Sequence, residues 1–110
     1  MSRRGAALLS PRWLKACAIA YADPPSWSDP SVSPLLAEPG GLPPLLIQAA
    51  TDDLLAPDAE GLAARASAAG ADVTYTRWPR MWHNFALQAG LLAAADSALA
   101  QAAWFVECVA

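Results

Sequence analysis

An aspartate pair and the only histidine of the chain follow two predicted strands and could together do acid–base chemistry. Asp52 and Asp53 end an apolar run over residues 45–47, and His83 lies in the loop after a second predicted strand. A carboxylate beside an imidazole fixes the tautomer of the ring and stabilises its protonated form. The histidine then becomes a usable general base for a hydroxyl nucleophile. We therefore predict that Asp53 and His83 are two of the three members of an acyl-transfer triad.

The same residues also have a purely structural interpretation. An aspartate just before a helix most often caps it or complements its dipole, a role that Asp52, Asp53 and Asp58 could each fill. A lone histidine between Trp82 and Phe85 is most often a packed, hydrogen-bonded residue. Since structural ion pairs resemble functional ones, the residue pattern alone favours the structural interpretation.

A strand, an acidic loop and a helix are predicted around the aspartate pair. Pro43 and Pro44 cannot donate hydrogen bonds inside a sheet, so they mark the entry to a strand that begins with residues 45–47. A helix follows over about residues 57–69, because proline suits a first helical turn and Gly70 can adopt the left-handed conformation that ends it. The predicted buried face of this helix comprises Leu62, Ala63, Ala66 and Ala69, with Glu60 and Arg65 in water.

A second strand is predicted over residues 72–78, which alternate and are rich in β-branched and aromatic side chains. Strand, helix and strand in this order make a parallel βαβ unit. In parallel α/β sheets the catalytic groups lie beyond the carboxyl ends of the strands, so we expect Asp53 and His83 to be neighbours in space. The predicted fold class is α/β, with two parallel strands, a crossover helix and a long C-terminal helix.

A short helix over residues 13–21 and a proline-rich loop over residues 23–41 precede this unit. The last helix covers about residues 91–109 and must lie on the sheet. The predicted anchors of the loop are Trp27, Val32, Leu35 and Leu36. The predicted sheet-facing residues of the last helix are Leu92, Ala95, Leu99, Ala102, Val106 and Val109.

The predicted domain organisation is a single partial α/β domain over residues 1–110. Residues 1–41 supply the first helix and the ordered proline-rich loop. Residues 42–110 supply a βαβα unit that carries the acid and base loops.

Charge and composition exclude several classes of function. The net charge is −3 and the seven Lys and Arg residues are scattered, so no basic stripe could neutralise nucleic-acid phosphates. One histidine, no cysteine cluster and no glycine-rich phosphate loop leave almost no ligands for a metal or cofactor, and none is expected. Cys17 and Cys108 lie far apart, which predicts two reduced, buried thiols in a cytoplasmic protein.

The beginning of the chain partly imitates an export signal. Arg3 and Arg4 precede a small apolar run, but Pro11, Arg12 and Lys15 interrupt the apolar core that a signal peptide needs. No stretch approaches the roughly 20 apolar residues of a transmembrane helix. We therefore expect a soluble, cytoplasmic chain without a membrane span.

Several short words of the sequence, in order and with their spacing, resemble the C-terminal part of an α/β-hydrolase. More narrowly, they resemble the hormone-sensitive-lipase-like esterases, also called the α/β-hydrolase fold-3 group. The resemblance covers about residues 13–109. The words are Ser33-Pro34-Leu35, Leu42-Pro43-Pro44-Leu45-Leu46-Ile47-Gln48, Asp53-Leu54-Leu55 with Asp58-Ala59, and Trp78-Pro79-Arg80-Met81-Trp82-His83-Asn84-Phe85.

This resemblance implies a serine carboxylesterase or lipase that acts on short to medium acyl esters, with triad order Ser, Asp, His. Asp53 matches the acid of the family and His83 its base, with Asp52 as the second candidate for the acid. The neighbours of the histidine, Trp82, Asn84 and Phe85, would position its loop or simply pack there.

Two positions depart from the family pattern. Arg80 stands where the family usually has glycine before the methionine, and Ala50 stands where it often has glycine before the acid loop. If either position needs a positive φ or a close backbone approach, the loops would be shifted.

The nucleophile half of the site is absent from these 110 residues. None of the serines lies in a G-x-S-x-G turn, and no HGGG-type oxyanion loop is present. We therefore expect the chain by itself to hydrolyse nothing at a useful rate, with an ester substrate only if an N-terminal half of the hydrolase complements it. The alternative is a non-catalytic interaction module, since open strand edges favour self-association or docking on a partner.

Overall fold

The computed structural model describes residues 8–110 and contains a parallel two-stranded sheet with two of its three helices packed against it. The strands are β1 (Leu45–Ala50) and β2 (Val73–Trp78), and the helices are α1 (Pro11–Tyr21), α2 (Ala56–Ala68) and α3 (Ala93–Val109). Short 3₁₀ turns cover Pro24–Ser26, Pro34–Leu36 and Phe85–Gln88.

The predicted βαβ unit is confirmed, with boundaries close to those expected. β1 and β2 pair in parallel from Leu45 opposite Val73 to Ala50 opposite Trp78. Proline occupies the first turn of α2, and Gly70 lies just beyond its end with φ of +90°. The strands therefore end side by side, which brings the loops that follow them to one edge of the sheet.

The buried core of the described residues consists almost entirely of small side chains. Neighbouring residues of a strand point to opposite faces of the sheet, and both residues at the end of β1 are buried. Ala50 packs against α3, and α2 contacts both strands. The buried apolar residues are Ala49, Ala50, Ala63, Ala66, Phe85, Ala95 and Ala98.

The predicted sheet-facing stripe of α3 is right for Leu92 and Ala95, which lie against or in the buried core. It is wrong for the larger side chains farther along the helix. Ala95 and Ala98 are fully buried, whereas Leu99 and Val106 are 49% and 61% exposed. The helix is apolar on nearly all sides, so its spacing pattern does not distinguish one face from another. Alanine allows the helix to lie close to the strands, and the larger side chains therefore point outward.

Polar contacts also orient α3 on the sheet. Gln48 in β1 donates its side-chain amide to the carbonyl of Ala98 at 2.9 Å and to Oε1 of Gln101 at 2.7 Å. Gln101 in turn donates to the hydroxyl of Thr76 in β2 at 2.7 Å. Both strands are thus linked to the same turn of the helix.

The proline-rich loop is attached to α2 through Arg65, which was predicted to point into water. Its guanidinium donates hydrogen bonds to the backbone carbonyls of Leu35 and Ala37. Three of the four predicted apolar anchors are partly buried, but Leu36 is 48% exposed. The loop is therefore held by a charged side chain as well as by apolar contacts.

Both cysteines are exposed, so the expectation of buried thiols was wrong. Cys17 lies on α1, which buries none of its residues, and Cys108 lies in the last turn of α3. Among the described residues, no helix is both long and apolar enough to cross a membrane. The Arg3 and Arg4 pair of the signal-like beginning lies outside the described residues.

Candidate active site

The acid loop begins where β1 ends and turns sharply into α2. Asp53 accepts a hydrogen bond on Oδ1 from the backbone N–H of Leu55 at 2.9 Å, and its own carbonyl accepts the N–H of Ala56 at 3.1 Å. This short-range bond is the turn-forming role expected of an aspartate before a helix. It occupies only one carboxylate oxygen and leaves Oδ2 for a second partner.

The base loop begins after Trp78 and contains two left-handed residues. Arg80 has φ of +60° and Asn84 has φ of +55°. Arg80 thus adopts the conformation for which glycine is favoured, at the position where the resemblance implies glycine. Ala50, the other departure, is an ordinary buried residue at the end of β1.

The two loops bring Asp53 and His83 into direct contact. His83 Nδ1 lies 2.9 Å from Asp53 Oδ2, and the two side chains are 27% and 12% exposed. With Asp53 ionised, this contact requires the proton on Nδ1, and in the neutral imidazole Nε2 then keeps its lone pair. No described residue forms a hydrogen bond with Nε2.

Asp52 is not brought to the histidine. Its backbone N–H donates to the carbonyl of Met81 at 3.0 Å, and none of its carboxylate oxygens forms a hydrogen bond with a described residue. Of the two aspartates predicted for the acid role, only Asp53 therefore has the geometry of an acid partner.

The neighbours of His83 fix its loop from below. Phe85 is 5% exposed and lies in the core with Ala50, Ala95 and Ala98. Its ring centroid is 5.7 Å from that of Trp78, and Trp82 also packs against this cluster. Phe85 lies two residues after His83, so its burial in the core holds the base loop in place.

A cavity of about 320 Å³ opens beside the pair. It lies between the end of β1, the first turns of α2 and the base loop, and small apolar side chains dominate its wall. Asp53 and His83 both contribute to it, so the imidazole is reachable from this space. The other lining residues are Gln48, Ala49, Ala50, Leu55, Ala56, Ala59, Asn84, Phe85 and Ala86.

A hydroxyl that sequence reasoning missed joins the two loops. Thr51 Oγ1 accepts the backbone N–H of Arg80 at 2.9 Å. A threonine directly after a strand is a weak signal by itself, because the spacing of residues does not reveal side-chain hydrogen bonds to distant backbone groups.

Within residues 8–110 no group of three His, Cys, Asp or Glu side chains could share a metal ion.

Comparisons with known proteins assign the chain to a family. Residues 2–87 match the model of the alpha/beta hydrolase fold family. The chain belongs to the α/β-hydrolase fold family. The predicted fold class and the predicted resemblance to hormone-sensitive-lipase-like esterases are thereby confirmed, since the relatives and the solved structures carry such names.

Three relatives illustrate the match. An acetyl-hydrolase of Streptomyces hygroscopicus is 44% identical over 54 residues, which are 49% of this chain and 18% of that protein. An esterase of Acinetobacter venetianus is 35% identical over 77 residues, which are 70% of this chain and 25% of the esterase. A hormone-sensitive lipase from a metagenome library superposes with a TM-score of 0.88 at 30% identity, over 94% of this chain and 35% of the lipase.

The chain is much shorter than the proteins that it matches. The chain spans a quarter or less of the length of the two curated relatives above, and about a third of the lipase structure. The activities in their names are those of the longer proteins.

Proposed function

We propose that this chain supplies the acid and the base of a serine carboxylesterase site, Asp53 and His83. The supporting observation is the 2.9 Å contact between His83 Nδ1 and Asp53 Oδ2 at the carboxyl edge of the sheet. The family supports an esterase or lipase reaction, because the relatives named above are an acetyl-hydrolase, an esterase and a lipase.

In the proposed reaction His83 acts twice. Its Nε2 takes the proton of a serine hydroxyl while the serine oxygen attacks the ester carbonyl carbon, and the resulting imidazolium gives that proton to the leaving alcohol. A water then attacks the acyl-serine with His83 again as base, which releases the acid and restores the serine. Asp53 keeps the Nδ1–H tautomer and stabilises the imidazolium throughout.

The serine and the oxyanion donors of this reaction belong to sequence that these 110 residues do not contain. We expect the chain alone to be inactive, because donors aimed at the developing oxyanion contribute about 10²–10³ in rate and the nucleophile is also absent. A complementing polypeptide with a G-x-S-x-G turn would complete the site, and a small-molecule ester would be its substrate.

A chimera tests the proposal directly. The segment of the Acinetobacter venetianus esterase that aligns with this chain is replaced by this chain, and hydrolysis of p-nitrophenyl acetate is measured. We expect activity that His83→Ala and Asp53→Ala remove, while Asp52→Ala retains it. A folded chimera in which Asp52→Ala abolishes hydrolysis and Asp53→Ala does not would refute the assignment of the acid.

The pure chain supplies the complementary test of inactivity. Hydrolysis of p-nitrophenyl acetate by the 110 residues alone, abolished by His83→Ala, would show that they carry a nucleophile of their own. Background hydrolysis that is unchanged by His83→Ala is the expected result.

A non-catalytic interaction module is the second candidate, and the exposed apolar side chains favour it. Trp13, Tyr21 and Trp104 are 61%, 77% and 61% exposed, and β1 pairs with a strand on one side only among the described residues. Light scattering on a sizing column tests this candidate. A monodisperse monomer with cooperative unfolding would contradict it, whereas a stable assembly without activity in the chimera would favour it over the esterase.

A further inference from the structure

Three hydrogen bonds fasten the acid loop to the end of β2 and to the base loop that follows it. Arg80 donates its backbone N–H to Thr51 Oγ1 at 2.9 Å. Thr51 donates its own N–H to the carbonyl of Trp78, and Asp52 donates its N–H to the carbonyl of Met81, both at 3.0 Å. Thr51 thus takes part in two of these bonds, one through its backbone and one through its hydroxyl.

The hydroxyl bond falls on the most constrained residue of the base loop. Arg80 follows Pro79 and has φ of +60°, the arrangement of a turn whose third residue is usually glycine. A non-glycine residue keeps a left-handed conformation only where its surroundings over-determine it. Thr51 Oγ1 supplies such a constraint, because it accepts the N–H of the left-handed residue itself.

We propose that the Thr51 hydroxyl is a positioning group for the acid–base pair. The inference rests on the proposed function, since it assigns Thr51 to the same site. Thr51 lies two residues before Asp53, and Arg80 lies three residues before His83. A change in the Arg80 turn would therefore displace the imidazole relative to the carboxylate. Because hydrogen bonds weaken steeply with distance and angle, the displaced ring would lose its preference for the Nδ1–H tautomer.

The single histidine makes this proposal measurable without any enzymatic activity. Nitrogen-15 NMR of the imidazole, recorded where the ring is neutral, reports the fraction of the Nδ1–H tautomer with no assignment ambiguity. The variants are Thr51→Val, which removes the hydroxyl at nearly constant shape, and Thr51→Ser, which keeps it. Asp53→Ala is the reference for a lost pair.

We expect a high Nδ1–H fraction in the unaltered chain and in Thr51→Ser, and a lower fraction in Thr51→Val and Asp53→Ala. A folded Thr51→Val variant with an unchanged Nδ1–H fraction, beside a lowered fraction in Asp53→Ala, would overturn the role of Thr51 and leave the proposed function standing. No change in Asp53→Ala would instead refute the acid–base pair itself.

A second measurement covers the case in which Thr51→Val fails to fold. Hydrogen exchange of the unaltered chain compares the Arg80 amide with those of Thr51 and Asp52, which donate to the carbonyls of Trp78 and Met81. We expect all three to be protected to a similar degree. An Arg80 amide that exchanges at the rate of an unstructured peptide, beside two protected neighbours, would overturn the proposal.

Discussion

The edge of the sheet that carries the acid–base pair and the outer surfaces of α1 and α3 are built in opposite ways. At the edge, backbone groups of the two loops bond to one another, Asp53 uses both carboxylate oxygens, and Phe85 anchors the base loop in the core. On the outer surfaces, Trp13 and Trp104 are each 61% exposed. Contacts within the described chain therefore set the geometry of the pair, whereas no described residue covers the apolar side chains on the outer helix surfaces.

The largest expected effect is the loss of esterase activity when His83 is replaced, compared with a replacement on the outer surface of α3. In the chimera, His83→Ala should lower the esterase rate by about 10⁴-fold or more, because a triad member acts directly on the reacting proton. Trp104→Glu, the matched control on the outer surface of α3, should leave the rate per folded molecule unchanged. Comparable losses in both variants would mean that the two regions are not independent.

The next effect tests whether Phe85 is what anchors the base loop. Phe85→Ala should lower the free energy of unfolding by about 3–5 kcal/mol, because it removes the one large side chain of the buried cluster and leaves a cavity. Leu87→Ala in the same 3₁₀ turn is the control, since Leu87 is 79% exposed and should change stability by less than about 0.5 kcal/mol. Urea unfolding followed by tryptophan fluorescence measures both, and equal losses would contradict the packing.

A smaller effect comes from the left-handed residues of the base loop. Arg80→Gly should stabilise the chain by about 1 kcal/mol, because glycine adopts a positive φ without the steric cost of a Cβ. Asn84→Gly should gain only a few tenths of that amount, since asparagine already tolerates this conformation. A loss of stability in Arg80→Gly would show that the arginine side chain offsets the strain of its backbone.

On the outer surface, stability and association should respond separately. Trp104→Glu should change the free energy of unfolding by less than about 0.5 kcal/mol, because an exposed side chain has few contacts to lose. The same change should reduce any self-association seen by light scattering, since it places a charge within an apolar surface. A large loss of stability in dilute solution would mean that Trp104 is packed and not exposed.

The smallest effect lies in the proline-rich loop. The hydroxyl and the backbone N–H of Ser31 both donate to Asp29 Oδ1, and they hold the pKa of Asp29 below its ordinary value of 3.8. A lowered folded-state pKa favours folding above the ordinary value, and this contribution is lost as the pH falls through the lowered pKa. In Ser31→Ala we expect the pKa of Asp29 to rise towards its ordinary value, as an NMR titration of the carboxyl would detect. An unchanged pKa would mean that the backbone N–H alone maintains it.

Sequence reasoning succeeded where a strong local signal and a topological rule agree. The order of strand, helix and strand follows from a proline entry, an alternating segment and a glycine stop, and parallel topology then requires that Asp53 and His83 meet at one edge. Their contact is observed, and their catalytic role stays a prediction.

Sequence reasoning failed for α3, because the possible faces of this helix are similarly apolar. The predicted face of α3 included the buried Ala95 correctly, but it also included Leu99 and Val106, which are exposed. Alanines occupy the close approach to the sheet, so side-chain size, and not hydrophobicity, determines which face of the helix is buried. Arg65 and Thr51 were missed for another reason. Each bonds to backbone groups about 30 positions away in the chain, and such contacts depend on the folded arrangement of the loops.

The alanine-rich core has a consequence for the heat capacity of unfolding. Six of the seven buried apolar side chains are alanines, and each removes little apolar surface from water. Exposure of apolar surface is what raises the heat capacity when a protein unfolds. The described part of the chain should therefore unfold with a heat-capacity increment below the usual 12–15 cal/mol/K per residue. The curve of its free energy of unfolding against temperature would then be flatter than usual, and calorimetry would record a small baseline step between the folded and unfolded states.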